Sequence, residues 1–302
     1  MIIISQTVTK FIRFLLLSSL LTLLLFILTE TTYISDILEH HIIHVSTEST
    51  IPVTKPPESL IELHSSPTFH GTAMSIPLQI IRQMQTVGSW QPNCPVSLQD
   101  LVYLQLDHWG FDNKIHQGEL IVHKSLAQKV LDIFEQLYHI EFPIEKMRLI
   151  EEYNANDELS MSDNNSSAFN CREITQKPGY FSQHSYGYAI DINPIFNPYV
   201  TVSIDYLLKQ GWDEIDDKID FIERLGYTTE VPVNSFCQAQ PLNCIILPKI
   251  STAFIDRTQV ITGLIQANDP IVKIFRQHGF IWGGNWRNTL DYQHFEYQNS
   301  ME

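Results

Sequence analysis

The sequence is poor in positive charge, with 19 lysine and arginine residues against 34 aspartate and glutamate residues. The resulting net charge of −15 argues against a nucleic-acid-binding protein, because such proteins carry basic faces. The four cysteines contain no C-x-x-C pair, which argues against a cysteine zinc site or a dithiol redox motif. The helical zinc motif H-E-x-x-H is also absent. What remains is an acidic chain whose apolar content of 44% is sufficient for a sizeable core.

Near the start of the chain an uncharged run of fifteen residues, Phe14–Leu28, follows Lys10 and Arg13. With its apolar neighbours the run approaches the roughly 17–25 residues needed to cross a bilayer. Because cations precede the run and acidic residues follow it, the positive-inside rule places the rest of the chain outside the cytoplasm. No A-x-A-like cleavage site follows, so we expect residues 1–29 to be a signal anchor. The expected location is the cell membrane, with a single pass and the folded domain in the periplasm; secretion after signal cleavage is the alternative.

Residues 30–95 are rich in threonine, serine, proline and histidine, and we expect a stalk or linker there with one short helix around Pro77–Thr86. The folded domain is predicted to occupy residues 96–302. Export would place the cysteines in an oxidising compartment, where disulfides form and persist. Cys237 and Cys244 flank a short loop and could pair. Cys94 and Cys171 could pair too, although four cysteines allow three connectivities.

Helical and strand patterns are mixed in the predicted domain without βαβ regularity, which indicates an α+β fold. Apolar residues recur at helical spacing in Lys124–Tyr138 and predict an amphipathic helix there. A second amphipathic helix is expected after Asp269 and Pro270, which suit a cap and a first turn. Short strands are predicted at 147–153, 188–193 and 291–297, and a polar loop follows the first of these. The helix at 124–138 has five predicted core residues: Leu126, Val130, Ile133, Phe134 and Leu137.

The segment S-Q-H-S-Y-G-Y-A-I-D, residues 182–191, places Asp191 in the middle of an apolar strand. A buried carboxylate is costly unless a cation, a metal or several hydrogen-bond donors face it. Hydrolytic zinc sites commonly take three protein ligands from histidine, aspartate and glutamate. His184 and Asp191 can supply two of them, and His294 far downstream can supply the third. The small residues Gly187 and Ala189 would leave room for a metal and a substrate.

The downstream segment D-Y-Q-H presents a geometric problem for this hypothesis. On a flat strand the side chains of Asp291 and His294 would point to opposite faces, since alternation has a period of two. A bend near Asp291 is therefore required if both residues are to reach one metal site. Taken singly, each histidine is more often an ordinary surface or core residue than a ligand.

The two motifs resemble those of the M15 zinc peptidases, with S-x-H-x-x-G-x-A-x-D at Ser182–Asp191 and an acid three residues before a histidine at Asp291–His294. The group includes D-alanyl-D-alanine carboxypeptidases and L-alanyl-D-glutamate endopeptidases, and the similarity covers Leu101–Tyr297. The resemblance implies the hedgehog-like M15 fold, a small central antiparallel sheet with flanking helices. It also implies one bound Zn²⁺ and peptidoglycan stem peptides as the substrate.

Site roles follow from the same resemblance. His184, Asp191 and His294 become the zinc ligands, and Asp291 becomes the general base. Arg172 would stabilise the negative charge on the carbonyl oxygen, and Ser182 would contact the substrate. Other roles stay open: Trp282 and Trp286 could line the cleft or lie in the core, and Glu296 either orients a ligand histidine or, as preferred here, is a charge at the strand end.

The expected function is zinc-dependent hydrolysis of a stem-peptide bond that involves a D-amino acid, by a carboxypeptidase or an endopeptidase. The alternative is a catalytically inactive cell-wall-binding module of the same fold. A glycosidase that uses Asp191 and Asp291 as paired carboxylates is also conceivable. That hypothesis leaves His184 and His294 without a role.

Overall fold

The computed structural model describes residues 67–174, 177–212 and 218–298, and these belong to one unit of the chain, Leu63–Glu302. The predicted signal anchor and most of the predicted stalk lie outside the described residues. Among the residues that are described, no helix is both long and apolar enough to cross a bilayer.

The described part of the chain mixes short strands with short helices. The strands are β1 (Gly71–Met74), β2 (Leu101–Trp109), β3 (Ile115–His123), β4 (Lys146–Met147), β5 (Asn165–Ser166), β6 (Glu173–Ile174), β7 (Lys177–Phe181), β8 (Ala189–Asp191), β9 (Tyr199–Val202), β10 (Cys244–Leu247), β11 (Phe280–Trp282), β12 (Leu290–Asp291) and β13 (His294–Tyr297). The helices are α1 (Leu78–Val87), α2 (Ala127–His139), α3 (Asp157–Ser162), α4 (Ile204–Lys209), α5 (Lys218–Arg224), α6 (Pro232–Ala239) and α7 (Pro270–Gln277).

The strands form several small sheets. Three sheets are antiparallel with three strands each, in the orders β1-β2-β3, β10-β9-β12 and β11-β13-β8. Two-stranded pairs add β4 with β5 in parallel and β6 with β7 in antiparallel orientation. The mixed helix and sheet content with small antiparallel sheets agrees with the predicted α+β class. In place of the expected single central sheet, the described residues form three three-stranded sheets and two strand pairs, and most of the strands are only two to four residues long.

Helix α2 shows why the sequence pattern folds as it does. A short 3₁₀ turn, Lys124–Leu126, precedes it, so the prediction of a helix over 124–138 is confirmed. All five predicted core residues are buried in the main apolar cluster of the domain, together with residues of β2 and β3. Full burial of each large apolar side chain contributes about 1.5–3 kcal/mol. The predicted helices near Pro77–Thr86 and after Asp269 are also present, as α1 and α7.

Two predictions at the N-terminal side of the domain need correction. The boundary at residue 96 is wrong, because β1 already pairs with β2, and Ile76 and Met84 are buried in a second apolar cluster. The predicted strand at 147–153 is reduced to Met147 at its start. Arg148 and Leu149 belong to no helix or strand, and a 3₁₀ turn, Ile150–Tyr153, follows and ends at Asn154 in the left-handed region with φ 54°.

Two disulfides fasten the described unit. Cys94 is bonded to Cys171 and Cys237 to Cys244, so both of the pairings considered from the sequence occur together. The first joins cysteines 77 positions apart in the chain, and the second joins Cys237 in α6 to Cys244 in β10, seven positions later.

Candidate metal centre and active-site cleft

His184 lies on a short 3₁₀ turn, Gln183–Tyr186, between β7 and β8. The hydroxyl oxygen of Ser182 caps this turn by accepting a hydrogen bond of 3.3 Å from the backbone N–H of His184. Gly187 ends the turn in the left-handed region, with φ 72°, and a Cβ at this position would lie 2.5 Å from the backbone nitrogen of His123. The predicted role of this glycine as clearance above a metal is therefore wrong. Its missing side chain lets the turn approach β3.

Asp191 ends β8 and His294 begins β13, and the register of the two strands places these residues directly opposite each other. Directly opposed side chains lie on the same face of a sheet, so strand pairing alone brings the two together. The chain bends at residues 292–293, between β12 and β13. Because of this bend Asp291 and His294 line the same cleft, which confirms the bend that the sequence required.

The three predicted ligands form a tight triangle of donor atoms. His294 Nδ1 lies 3.0 Å from Asp191 Oδ1, and His184 Nε2 lies 3.2 Å from both Asp191 Oδ2 and His294 Nδ1. Donor atoms around a tetrahedral zinc ion with bonds of about 2.0–2.1 Å lie roughly 3.3–3.4 Å apart. His294 and His184 contact different oxygens of Asp191, and one donor atom from each of the three residues lies within 4.8 Å of the other two. These nitrogen and oxygen donors are of the types that zinc binds, and they lie close enough together to hold one ion. Within the described residues this is the group of three histidine, cysteine or acidic side chains that could hold a metal.

Each histidine of the triangle has a second contact on its other ring nitrogen. His184 Nδ1 lies against the carbonyl oxygen of Ala168, which can only accept, so this nitrogen carries the proton and leaves Nε2 for a metal. His294 Nε2 lies 3.1 Å from Glu296 Oε2, which leaves Nδ1 facing Asp191. Such contacts orient ligand histidines and select their tautomers. Glu296 thus orients a histidine, and the preferred assignment as a strand-end charge is wrong.

The electrostatics of the triangle favour a charged pair when no metal is bound. Burial disfavours the charged form of Asp191, but the two histidines outweigh it and lower the pKa of this carboxyl group. Burial likewise disfavours protonated His294, yet its contacts with Asp191 and Glu296 raise its pKa above the ordinary value. A proton therefore competes with a metal for His294, and metal binding should release it.

Asp291 lies on β12 beside the triangle and differs from Asp191 in its surroundings. Burial, together with the charge of Asp191, raises the pKa of Asp291 to about 6 against the opposing influence of His294. Its Oδ1 atom is buried without a hydrogen-bond partner. Two neighbouring carboxyl groups with opposite pKa shifts are a pattern typical of acid–base sites. A carboxylate with a pKa near neutral pH is suited to accept a proton from water and return it.

Arg172 lies immediately after the disulfide-bonded Cys171 and also lines the cleft. Its Nε forms an ion pair with Asp157 Oδ2, and its Nη1 donates a hydrogen bond of 3.2 Å to the carbonyl oxygen of Glu173. Its positive charge reaches Asp291, where it lowers the pKa against the effect of burial. The guanidinium group is therefore close enough to act on charge that develops beside the triangle.

The cleft that contains these groups has a volume of about 1140 Å³. Trp286 lines it, with its ring centroid 5.4 Å from that of His294. Trp282 is buried in the core instead, where its indole N–H donates a hydrogen bond of 2.8 Å to the carbonyl oxygen of Tyr292. The sequence leaves the positions of Trp282 and Trp286 open. In the structure Trp286 lines the cleft, whereas Trp282 lies in the core.

Three further residues of the cleft were missed from the sequence. Asp157 belongs to α3, within a stretch predicted as a polar loop. The available signal was Asn156, whose side chain caps α3 by accepting from the backbone N–H of Leu159. Lys218 and Gln293 are both buried and also line the cleft. No local pattern marks them.

Comparison with protein families gives one match. Residues 175–297 match the family Peptidase_M15_4, described as D-alanyl-D-alanine carboxypeptidase. The matched range contains His184, Asp191, Asp291 and His294, and it begins three residues after Arg172. No match is found among curated proteins, and none among solved structures. The family match supports an M15 family peptidase in this part of the chain.

Proposed function

We propose that this chain, as an M15 family peptidase, uses one zinc ion to hydrolyse a peptidoglycan stem-peptide bond that involves a D-amino acid. The single observation that supports the zinc requirement best is the triangle formed by His184, Asp191 and His294. The three side chains contact one another at 3.0–3.2 Å, through both oxygens of Asp191, inside a cleft that also contains Asp291. The family match over the same residues supports the peptidase activity.

Different residues of the cleft would have different roles in the proposed reaction. His184, Asp191 and His294 would hold the metal, and Ala168 and Glu296 would keep both rings in the required tautomers. Bound zinc would polarise the scissile carbonyl group and lower the pKa of the attacking water.

Asp291 and Arg172 would provide the remaining chemistry. Asp291 would accept a proton from the attacking water and deliver it to the leaving amine, for which a pKa near 6 is suitable. Arg172 would stabilise the negative charge that develops on the carbonyl oxygen. Ser182 is the proposed substrate contact, in addition to its role as the cap of the His184 turn.

The proposed location of the domain is outside the cytoplasm, where peptidoglycan is found. The N-terminal segment would anchor the protein in the membrane, and secretion after cleavage is the alternative. Two disulfides that leave no free cysteine among the described residues support this proposal. Disulfides persist in oxidising compartments such as the periplasm.

The test is to incubate the purified full-length protein with purified muropeptides and to identify the products by mass spectrometry. Loss of one terminal D-alanine would show a carboxypeptidase, and release of L-alanine from the rest of the stem would show an endopeptidase. His184→Ala should lose both zinc and cleavage, whereas Asp291→Ala should keep zinc and lose turnover. Wild-type protein that binds muropeptides without cleaving them would overturn the proposal in favour of the inactive wall-binding module.

A further inference from the structure

The side chain of Arg172 is held by an acidic residue that the proposed mechanism does not yet use. Asp157 Oδ2 forms the ion pair with Arg172 Nε, and the two side chains are only 26% and 33% exposed. An arginine has five N–H donors, so contact through Nε leaves Nη2 for another acceptor. The contact therefore restrains the guanidinium group without occupying all of its donors.

Asp157 is itself fixed on its other side. Its Oδ1 accepts a hydrogen bond of 2.6 Å from Nδ2 of Asn170, a buried residue. Asn156 caps the first turn of α3 and so holds the backbone from which Asp157 projects. A carboxylate that is anchored in this way can act as a fixed support for a long, flexible side chain.

The backbone of Arg172 is tied to the turn that carries His184. The backbone N–H of Arg172 donates to Ser185 Oγ at 2.9 Å, and Ser185 Oγ donates to the carbonyl oxygen of Arg172 at 2.7 Å. The backbone N–H of Ser182 donates to the same carbonyl oxygen at 3.0 Å. The main chain of Arg172 thus moves with the His184 turn, and its guanidinium group is fixed separately by Asp157.

From this arrangement we infer that Asp157 is a positioning residue, which holds Arg172 in the orientation needed to stabilise the negatively charged carbonyl oxygen. The inference rests on the proposed function. A carboxylate adds negative charge to a cleft in which negative charge develops, so its direct effect on the reaction would be unfavourable. Its benefit must come through Arg172, since an ion pair with a carboxylate restrains a guanidinium group more strongly than contact with a neutral group does.

The test is a double-mutant cycle with Asp157→Asn, Arg172→Ala and the combined variant, measured on a muropeptide that the wild-type protein cleaves. Arg172→Ala should lower kcat by about 10²–10³-fold, as removal of an oxyanion donor does. Asp157→Asn should lower kcat about tenfold, with KM changed less than about twofold, because the lost interaction acts in the transition state. In the Arg172→Ala background Asp157→Asn should have no further effect. Zinc content should be unchanged in all three variants.

A matched control removes a different acid–arginine ion pair. Glu152 Oε2 lies 2.8 Å from Arg148 Nη1 on the surface, and Glu152→Gln should leave kcat and KM unchanged. As a readout that does not depend on turnover, the NMR signal of the Arg172 Nε–H group should shift in Asp157→Asn, because the neighbouring charge is lost.

Two results would overturn the inference while leaving the proposed function intact. One is wild-type kcat in Asp157→Asn, and the other is a loss in the double variant equal to the product of the two single losses. Wild-type protein that cleaves no muropeptide would instead overturn the proposed function, and this inference with it.

Discussion

Replacing Glu296 by glutamine should weaken zinc binding about 10- to 100-fold. Glu296 Oε2 lies 3.1 Å from His294 Nε2, and the side chain of Glu296 is only 23% exposed, so water cannot readily replace the contact. A carboxylate behind a ligand histidine fixes the ring and makes its other nitrogen more basic, and loss of such a partner typically costs 10–100-fold in metal affinity. The expected change corresponds to about 1.4–2.7 kcal/mol of zinc binding free energy.

The size of this loss should depend on pH, with a definite sign. Burial lowers the pKa of His294, but its contacts with Asp191 and Glu296 raise it overall, so protons compete with zinc at this nitrogen. Glutamine at position 296 removes part of the increase in the pKa of His294, and so it weakens the competition of protons with zinc. The loss of affinity in Glu296→Gln should be largest at alkaline pH and should shrink as the pH falls.

The assay is competition for zinc between the protein and a chromogenic chelator across neutral and alkaline pH. The matched control is Glu135→Gln, which removes another glutamate–histidine contact. Glu135 Oε1 lies 3.9 Å from His139 Nε2, and both side chains are more than half exposed. Zinc affinity in Glu296→Gln equal to that of the control at every pH would refute the assigned role of Glu296.

Three further outcomes are expected from equilibrium unfolding. Because burial raises the pKa of Asp291 to about 6, ionisation of this group destabilises the zinc-free fold as the pH rises. Asp291→Asn should therefore raise the free energy of unfolding by up to about 3 kcal/mol above about pH 6 and leave it unchanged below about pH 4. Replacing Cys94 and Cys171 by serine should lower the free energy of unfolding by about 4.5 kcal/mol, since these cysteines are 77 positions apart. Replacing Cys237 and Cys244, which are seven positions apart, should lower it by about 2.4 kcal/mol. Equal losses would contradict the chain-entropy account of disulfide stabilisation. Gly187→Ala should destabilise the fold by more than about 1–2 kcal/mol and reduce zinc content, because the residue has positive φ and touches β3; wild-type stability would show that the turn can shift.

The parts of the fold that the sequence predicts are those with a repeating local pattern. Helix α2 has apolar residues at helical spacing, and all of its predicted core positions are buried. Strand β1 has no such signal, because three of its four residues are exposed at the edge of its sheet. The sequence therefore predicts the beginning of the folded unit about two dozen residues too late.

The candidate site shows the same division between local and long-range information. His184 and Asp191 belong to one short motif, so their types and spacing are visible in the sequence. The partner of Arg172 is not, because no local pattern links Asp157 to Arg172 until folding brings their side chains together in the cleft. The role of Glu296 is not visible in the sequence either, since a charge two residues from His294 is uninformative until the strand geometry places it against the ring.

The ligand triangle joins segments that are far apart in the chain, since His294 is 103 residues from Asp191 and 110 residues from His184. A metal held by all three would act as a cross-link between the two ends of the matched region, and its binding would stabilise the folded state by mass action. Resistance to heat and to proteases would then rise with the concentration of free zinc. Under zinc starvation the amount of intact protein would fall together with its turnover.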